Sequence, residues 1–157
     1  MNIEGTEAFA KEFVGQILEK ESAAHKAGRA TVVGLYGDLG SGKTTFMQFF
    51  GQALGIKEKI LSPTFVIEKI YKIGGVNVDG SESQKKFEHL IHIDAYRLES
   101  ENELVTLGWQ EIISNPKNLI CVEWADKIPG IIPKDHVRLK FAHREEGSRM
   151  IEVELAK

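Results

Sequence analysis

Apolar residues recur along the chain with a spacing that changes from segment to segment, and each spacing points to an element. Phe9, Phe13, Ile17 and Leu18 fall at helical intervals, which predicts a helix from residue 6 to about residue 26, with Thr6 as N-cap and Gly28 as stop. TVVGLY (31–36) is a short apolar run rich in β-branched side chains, the pattern of a buried strand. A glycine-rich turn follows, then TTFMQFFGQAL (44–54), a helix ended by Gly55. VIEKIYKI (66–73) alternates apolar and polar residues, as a half-exposed strand does. GGVNVDGSESQKK (74–86) is polar and turn-forming, predicting a hairpin tip or loose loop.

In the second half, FEHLIHIDAYRL (87–98) contains a strand ending near Asp94. Ser100 and Glu103 form a capping box that opens a helix over ENELVTLGWQEII. NLICVEW (118–124) is another buried strand, ending at Glu123, and IPGIIP (128–133) is a proline-punctuated loop. HVRLKFAH (136–143) and SRMIEVEL (148–155) alternate across the turn REEG, so they close the chain as a hairpin. No repeat, linker or low-complexity tract interrupts the pattern. The fold class this predicts is α/β, a P-loop NTPase-like sandwich. Its sheet is mixed and partly parallel, flanked by helices and closed by the C-terminal β-hairpin.

Length and composition narrow the picture. A chain of 157 residues is the size of one domain and can bury a core without disulfides or a structural metal. Hydrophobic residues at 42% and charged residues at 27% are an ordinary globular mix. A net charge of −3 argues against free-standing nucleic-acid binding, which brings a basic surplus. The single cysteine, Cys121, excludes an internal disulfide, fits a reducing compartment and is most simply a core residue. The charged N-terminus lacks an apolar signal region, and no run approaches the roughly 18 apolar residues of a membrane span. A soluble cytoplasmic protein is the expectation.

The most specific signal is Gly37-Asp38-Leu39-Gly40-Ser41-Gly42-Lys43-Thr44, which fits G-x-x-x-x-G-K-[ST] at every fixed position, with Thr45 beside it. Triphosphate oxygens require inward backbone N–H groups, and glycines allow the path that side chains would block. The following helix adds the positive end of its dipole. Lys43 brings an ammonium to the β- and γ-phosphates, and Thr44 a hydroxyl to Mg²⁺. A glycine-rich turn with an incidental lysine is the bland reading, and strand before plus helix after argue against it. The expected ligand is a purine nucleoside triphosphate with magnesium, most simply ATP, leaving ADP after hydrolysis.

Such a site needs a carboxylate at a neighbouring strand end. Asp94 ends LIHID and Glu123 ends LICVE, and either could hold the metal directly or through water. Thr64, in SPTF (62–65), stands where a switch-like segment would bring a hydroxyl, although Ser-Pro-Thr is also a common turn. Arg97 could reach phosphates, or pair with Glu99 or Glu101 at the surface. His89, His92 and Asp94 resemble a metal cluster, but with strand period two His92 and Asp94 share a face and His89 does not. Trp109 and Trp124 read as packing residues, with Trp124 close enough to Glu123 to line the site.

The guanine-reading pattern N-K-x-D is absent, since Asn115 is followed by Pro-Lys-Asn. No arginine-rich lid follows the second apolar strand, which disfavours a small-molecule or nucleotide kinase. A non-catalytic, nucleotide-gated binding module is the other rival; it would bind ATP or ADP without turnover.

The set LYGDLGSGKTTF (35–46), SPTF (62–65), HIDAYRL (92–98), LGW-QE (107–111) and CVEW (121–124), in this order, resembles the TsaE family, also called YjeE. The resemblance covers roughly residues 6 to 155. It implies an ATPase of tRNA threonylcarbamoyladenosine modification that works with TsaB and TsaD, touching tRNA only through that complex. It implies that Thr44 and Glu123 hold Mg²⁺, that Asp94 positions metal or water, and that Thr64 lies in a switch-like segment. It also brings Thr6 and Arg149 near the nucleotide, through the start of the first helix and the last hairpin. One departure is the stretch of about twenty residues between Tyr71 and His92, longer than the family pattern, which reads as an extended hairpin across 72–88.

Overall fold

The computed structural model describes residues 3–19, 23–38, 40–61, 67–74, 86–143 and 149–154. Six strands form one sheet in the order β2-β3-β4-β1-β5-β6. They are β1 (Thr31–Tyr36), β2 (Glu68–Lys72), β3 (His89–Asp94), β4 (Asn118–Glu123), β5 (Val137–His143) and β6 (Arg149–Glu154). β3, β4, β1 and β5 run parallel; β2 and β6 pair antiparallel at the two edges. The apolar runs TVVGLY and NLICVE occupy the centre, and of the alternating sequences β2 and β6 lie at the edges while β5 lies inside, between β1 and β6. Edge β2 shows the alternation directly, with Tyr71 buried and Ile70 exposed.

One sheet face is covered by α1 (Ile3–Glu19) and α3 (Lys43–Ala53). Phe9 and Phe13 of α1 meet Phe46 at 5.8 and 6.2 Å between ring centroids, and Phe13 meets Phe50 at 5.8 Å. Successive residues of α1 therefore meet successive residues of α3, so the two helices run in the same sense. On the sheet side of this layer lie Val33, Leu35, Leu90, Leu119 and Cys121. The opposite face packs Val32, Ile91, Ile93, Ile120 and Val122 against Leu104 of α4 (Glu101–Thr106), Trp109 of α5 (Trp109–Ile113), and Ala125, Ile128 and Ile132.

Three boundaries differ from the sequence expectation. The helix expected over residues 6 to 26 is assigned as α1 and a short α2 (Ala23–Lys26), on either side of residues 20–22, which lie outside the described residues. Thr6 is inside α1 and not at its cap, because the helix already runs from Ile3, with Glu4 in the first turn facing the positive end of the dipole. The helix expected over ENELVTLGWQEII is broken into α4 and α5, because Gly108 takes a left-handed φ of 95° that a continuous helix cannot contain. At the start of α4, the Glu103 carboxylate accepts the Glu99 N–H at 2.8 Å and the Ser100 N–H at 3.5 Å, the carboxylate half of the expected capping box. β2 and β3 are antiparallel neighbours, as a hairpin requires, but residues 75–85 between them lie outside the described residues. Among the described residues no helix is long and apolar enough to cross a membrane.

Candidate nucleotide-binding site

β1 ends at Tyr36, and the chain leaves the sheet through Gly37. A Cβ at Gly37 would lie 2.5 Å from the Phe141 carbonyl oxygen and 2.8 Å from Ser41 Oγ, so only glycine passes between β5 and the loop. Gly42, at φ 108°, precedes Lys43, the first residue of the 11-residue α3. The Ser41 N–H closes the turn onto the Asp38 carbonyl at 3.1 Å. The loop thus ends on a helix N-terminus, where unpaired amides and the dipole favour an anion.

Register brings the carboxylates level with this loop. Glu123 pairs with Leu35 of β1 on one side and with Asp94 of β3 on the other. By strand alternation Asp94 shares its face with Leu90, and Glu123 shares its face with Cys121 and Leu119, which is the face α3 covers. Both carboxylates are buried. Asp94 is held by its own backbone: its N–H donates to the Ile67 carbonyl at 2.7 Å, and its Oδ1 accepts the Tyr96 N–H at 3.0 Å. The Ala95 N–H donates to the Glu123 carbonyl at 3.0 Å, tying the two strand ends together. Glu123 Oε2 accepts a hydrogen bond from His92 Nε2 at 2.6 Å.

Lys43 is buried, donates to the Gly37 carbonyl, and holds its ammonium 3.6 Å from the centroid of the Trp124 ring. Burial pushes this ammonium below its ordinary value, and the carboxylates of Glu123, Asp94, Asp126 and Asp38 pull it back up. Trp124 reaches the lysine because its backbone is left-handed, φ 59° and ψ 44°, an uncommon setting for a bulky residue. The Trp124 ring also packs on Tyr96, with ring centroids 5.0 Å apart.

The donor set suits a magnesium–triphosphate complex. Asp94, Glu123 and the Thr44 hydroxyl are hard oxygen ligands of the kind magnesium takes alongside phosphate oxygens. The Ser41 hydroxyl is buried with no hydrogen-bond partner among the described residues, an acceptor or donor left for a ligand in the loop. Among the described residues no three of His, Cys, Asp and Glu gather into a metal set of their own.

Comparison with known proteins decides the lineage. The family model for the threonylcarbamoyl adenosine biosynthesis protein TsaE matches residues 2–151. The chain belongs to the TsaE family. It is 33% identical to the TsaE protein of Nostoc sp. over 78% of this chain and 69% of that one. It is 35% identical to the Bacillus subtilis TsaE protein over 76% of this chain and 66% of that one. A crystal structure of Bacillus subtilis YdiB superposes with a TM-score of 0.69 at 28% identity, covering 100% of this chain and 82% of that one. TsaE membership assigns the chain to tRNA threonylcarbamoyladenosine biosynthesis, and the six-stranded mixed sheet is the P-loop NTPase-like fold.

Among the residues that the TsaE resemblance brings forward, Gly37, Gly40, Ser41, Gly42, Lys43, Thr44 and Thr45 form the loop and the first turn of α3, with Asp38 exposed at the rim. Thr6 is buried one turn before Ala10 and Phe9; because α1 and α3 run in the same sense, it lies toward the loop end of α3. Arg97 is exposed. Leu39 and Thr64 lie outside the described residues, as does the side chain of Arg149. Ile67, the first described residue after the segment of Thr64, accepts the Asp94 N–H through its carbonyl. Cys121 is fully buried and its thiol is pushed well above the ordinary range, first by burial and then by Glu123, which makes it an inert core residue. Sequence reading passed over His92 as a partner of Glu123, as well as Tyr96 and Asp126. The signal for His92 was present, since it shares a strand face with Asp94, but its partner lies on another strand.

Proposed function

We propose that this chain is a magnesium-dependent ATP hydrolase that supports threonylcarbamoyl modification of the tRNA adenosine next to the anticodon, cycling a TsaB–TsaD complex by hydrolysis. The observation that supports this reading is the convergence of the buried Lys43 with Asp94 and Glu123, level with each other at the ends of adjacent parallel strands. The loop from Gly37 to Gly42 would cradle the phosphates with backbone amides, and Ser41 would add its hydroxyl. Lys43 would exchange the Gly37 carbonyl for β- and γ-phosphate oxygens and stabilise charge that develops there. Thr44 and Glu123 would hold magnesium, with Asp94 orienting metal or water. Magnesium held by these residues would supply neutralising charge to the phosphates. The Trp124 and Tyr96 rings would shield the lysine from solvent. Contact with tRNA would be indirect, through the partner proteins, in keeping with a net charge of −3 and a cytoplasmic setting. ADP would be the product that remains.

Phosphate release from ATP should be measured for the chain alone and with TsaB and TsaD added, with Glu123→Ala as control. Slow release alone, a rise with the partners and loss in the variant support the coupled ATPase. A rate indifferent to the partners contradicts the coupling.

A further inference from the structure

We propose that His92 is a positioning residue: it fixes the Glu123 carboxylate so that one oxygen is committed to the imidazole and the other, Oε1, is presented to magnesium. This rests on the reading of Glu123 as a metal-holding residue. β3 and β4 are parallel, and His92 pairs with Cys121, two residues before Glu123, so the imidazole and the carboxylate emerge on the same sheet face. Both are buried, at 0% and 3% exposure, and Nε2 stands 2.6 Å from Oε2. A carboxylate oxygen can only accept here, so Nε2 carries the N–H of this bond and Nδ1 takes no part in it. That Nδ1 is buried without a partner among the described residues. Among the described residues the one hydrogen bond of the imidazole is to Glu123, at 2.6 Å. Groups that hydrogen-bond a metal-bound carboxylate set its orientation, and their loss weakens metal affinity typically ~10- to 100-fold.

Two variants separate positioning from packing. His92→Leu fills the space without a donor; His92→Gln places an N–H near the position of Nε2. A fluorescent ATP analogue is titrated in EDTA and then with rising magnesium, and thermal melts are recorded for each protein. His92→Leu is expected to raise the magnesium needed for half-maximal tightening by about tenfold or more, on the scale of lost supporting contacts. His92→Gln is expected to recover most of that loss, and affinity in EDTA is expected to be unchanged throughout. In the wild type, nitrogen NMR of the ring is expected to find its proton on Nε2. A folded His92→Leu with the wild-type magnesium requirement overturns the proposal, as does an Nε2 that carries no proton, which can be read even if the leucine variant does not fold. Glu123→Ala distinguishes the two levels. If it leaves the magnesium requirement unchanged, the metal role of Glu123 fails and this proposal with it. If it changes the requirement and His92→Leu does not, only the positioning role fails.

Discussion

The ammonium of Lys43 rests 3.6 Å from the centroid of the Trp124 ring and donates to the carbonyl of Gly37. A lysine held this way must leave the carbonyl to reach a phosphate, and the indole is the side chain that feels the change. The contact is itself weak, about 0.5–2 kcal/mol for a cation over an aromatic face, so a phosphate can compete for the lysine. Addition of ATP and magnesium is therefore expected to change tryptophan fluorescence. Trp124→Phe should abolish the change, because Lys43 meets the Trp124 ring while the other indole, Trp109, is buried in the core. A signal that persists in Trp124→Phe contradicts this arrangement.

Gly37→Ala is expected to damage both stability and nucleotide binding. The added Cβ would meet the backbone oxygen of Phe141 at 2.5 Å, and a backbone atom of a paired strand cannot step aside as a flexible side chain can. A cost of about 1–3 kcal/mol is expected for such overpacking. That corresponds to a melting temperature lower by roughly 2–4 °C per kcal/mol for a chain of this size. An unchanged melt would show that the loop has room the geometry denies.

Phe46 is expected to be the core residue on which the loop most depends. It contacts the rings of Phe9, Phe13, Phe50 and Phe141, joining α1, α3 and β5, and it follows Lys43 by one helical turn. Phe46→Ala should cost about 3–5 kcal/mol in urea denaturation. Phe46→Leu should lose less, and nucleotide affinity should track stability across the pair.

How much of this was legible in the sequence depends on the range of each interaction. The loop from Gly37 to Thr44 is a local pattern, and its strand and helix fall at β1 and α3 almost residue for residue. Asp94 and Glu123 were recognisable as strand ends, because apolar runs stop there. That they stand side by side follows from the parallel pairing of β3 with β4, which no spacing in the chain encodes. The same register hides the bond between His92 and Glu123, and the reach of Trp124 to Lys43 depends on one left-handed backbone setting. The break at Gly108 was misread because the apolar period runs on through LVTLGW while the backbone does not.

Stability is expected to fall on mild acidification through His136. Its Nδ1–H donates to the Pro133 carbonyl at 2.5 Å, and its Nε2 lies 2.7 Å from the Tyr36 hydroxyl oxygen. Burial holds its pKa below the ordinary 6.5. A folded-state value lower than the unfolded one means that the unfolded chain takes up the proton first as pH drops. The contribution is therefore complete above pH 6.5 and is lost as pH falls from there toward the lower folded-state value. Urea midpoints taken from about pH 7.5 to about pH 5.5 should decline, and His136→Gln should flatten the decline. Equal slopes in the two proteins contradict the assignment.

In the proposed function, this loop turns over ATP with Lys43 as its phosphate-binding cation. That role is tested most directly by phosphate release from ATP and magnesium, comparing the wild-type chain with Lys43→Ala. Measurable release to water is expected of the wild type, with a loss on the order of 10²-fold or more in the variant. Undiminished release by Lys43→Ala would contradict that role.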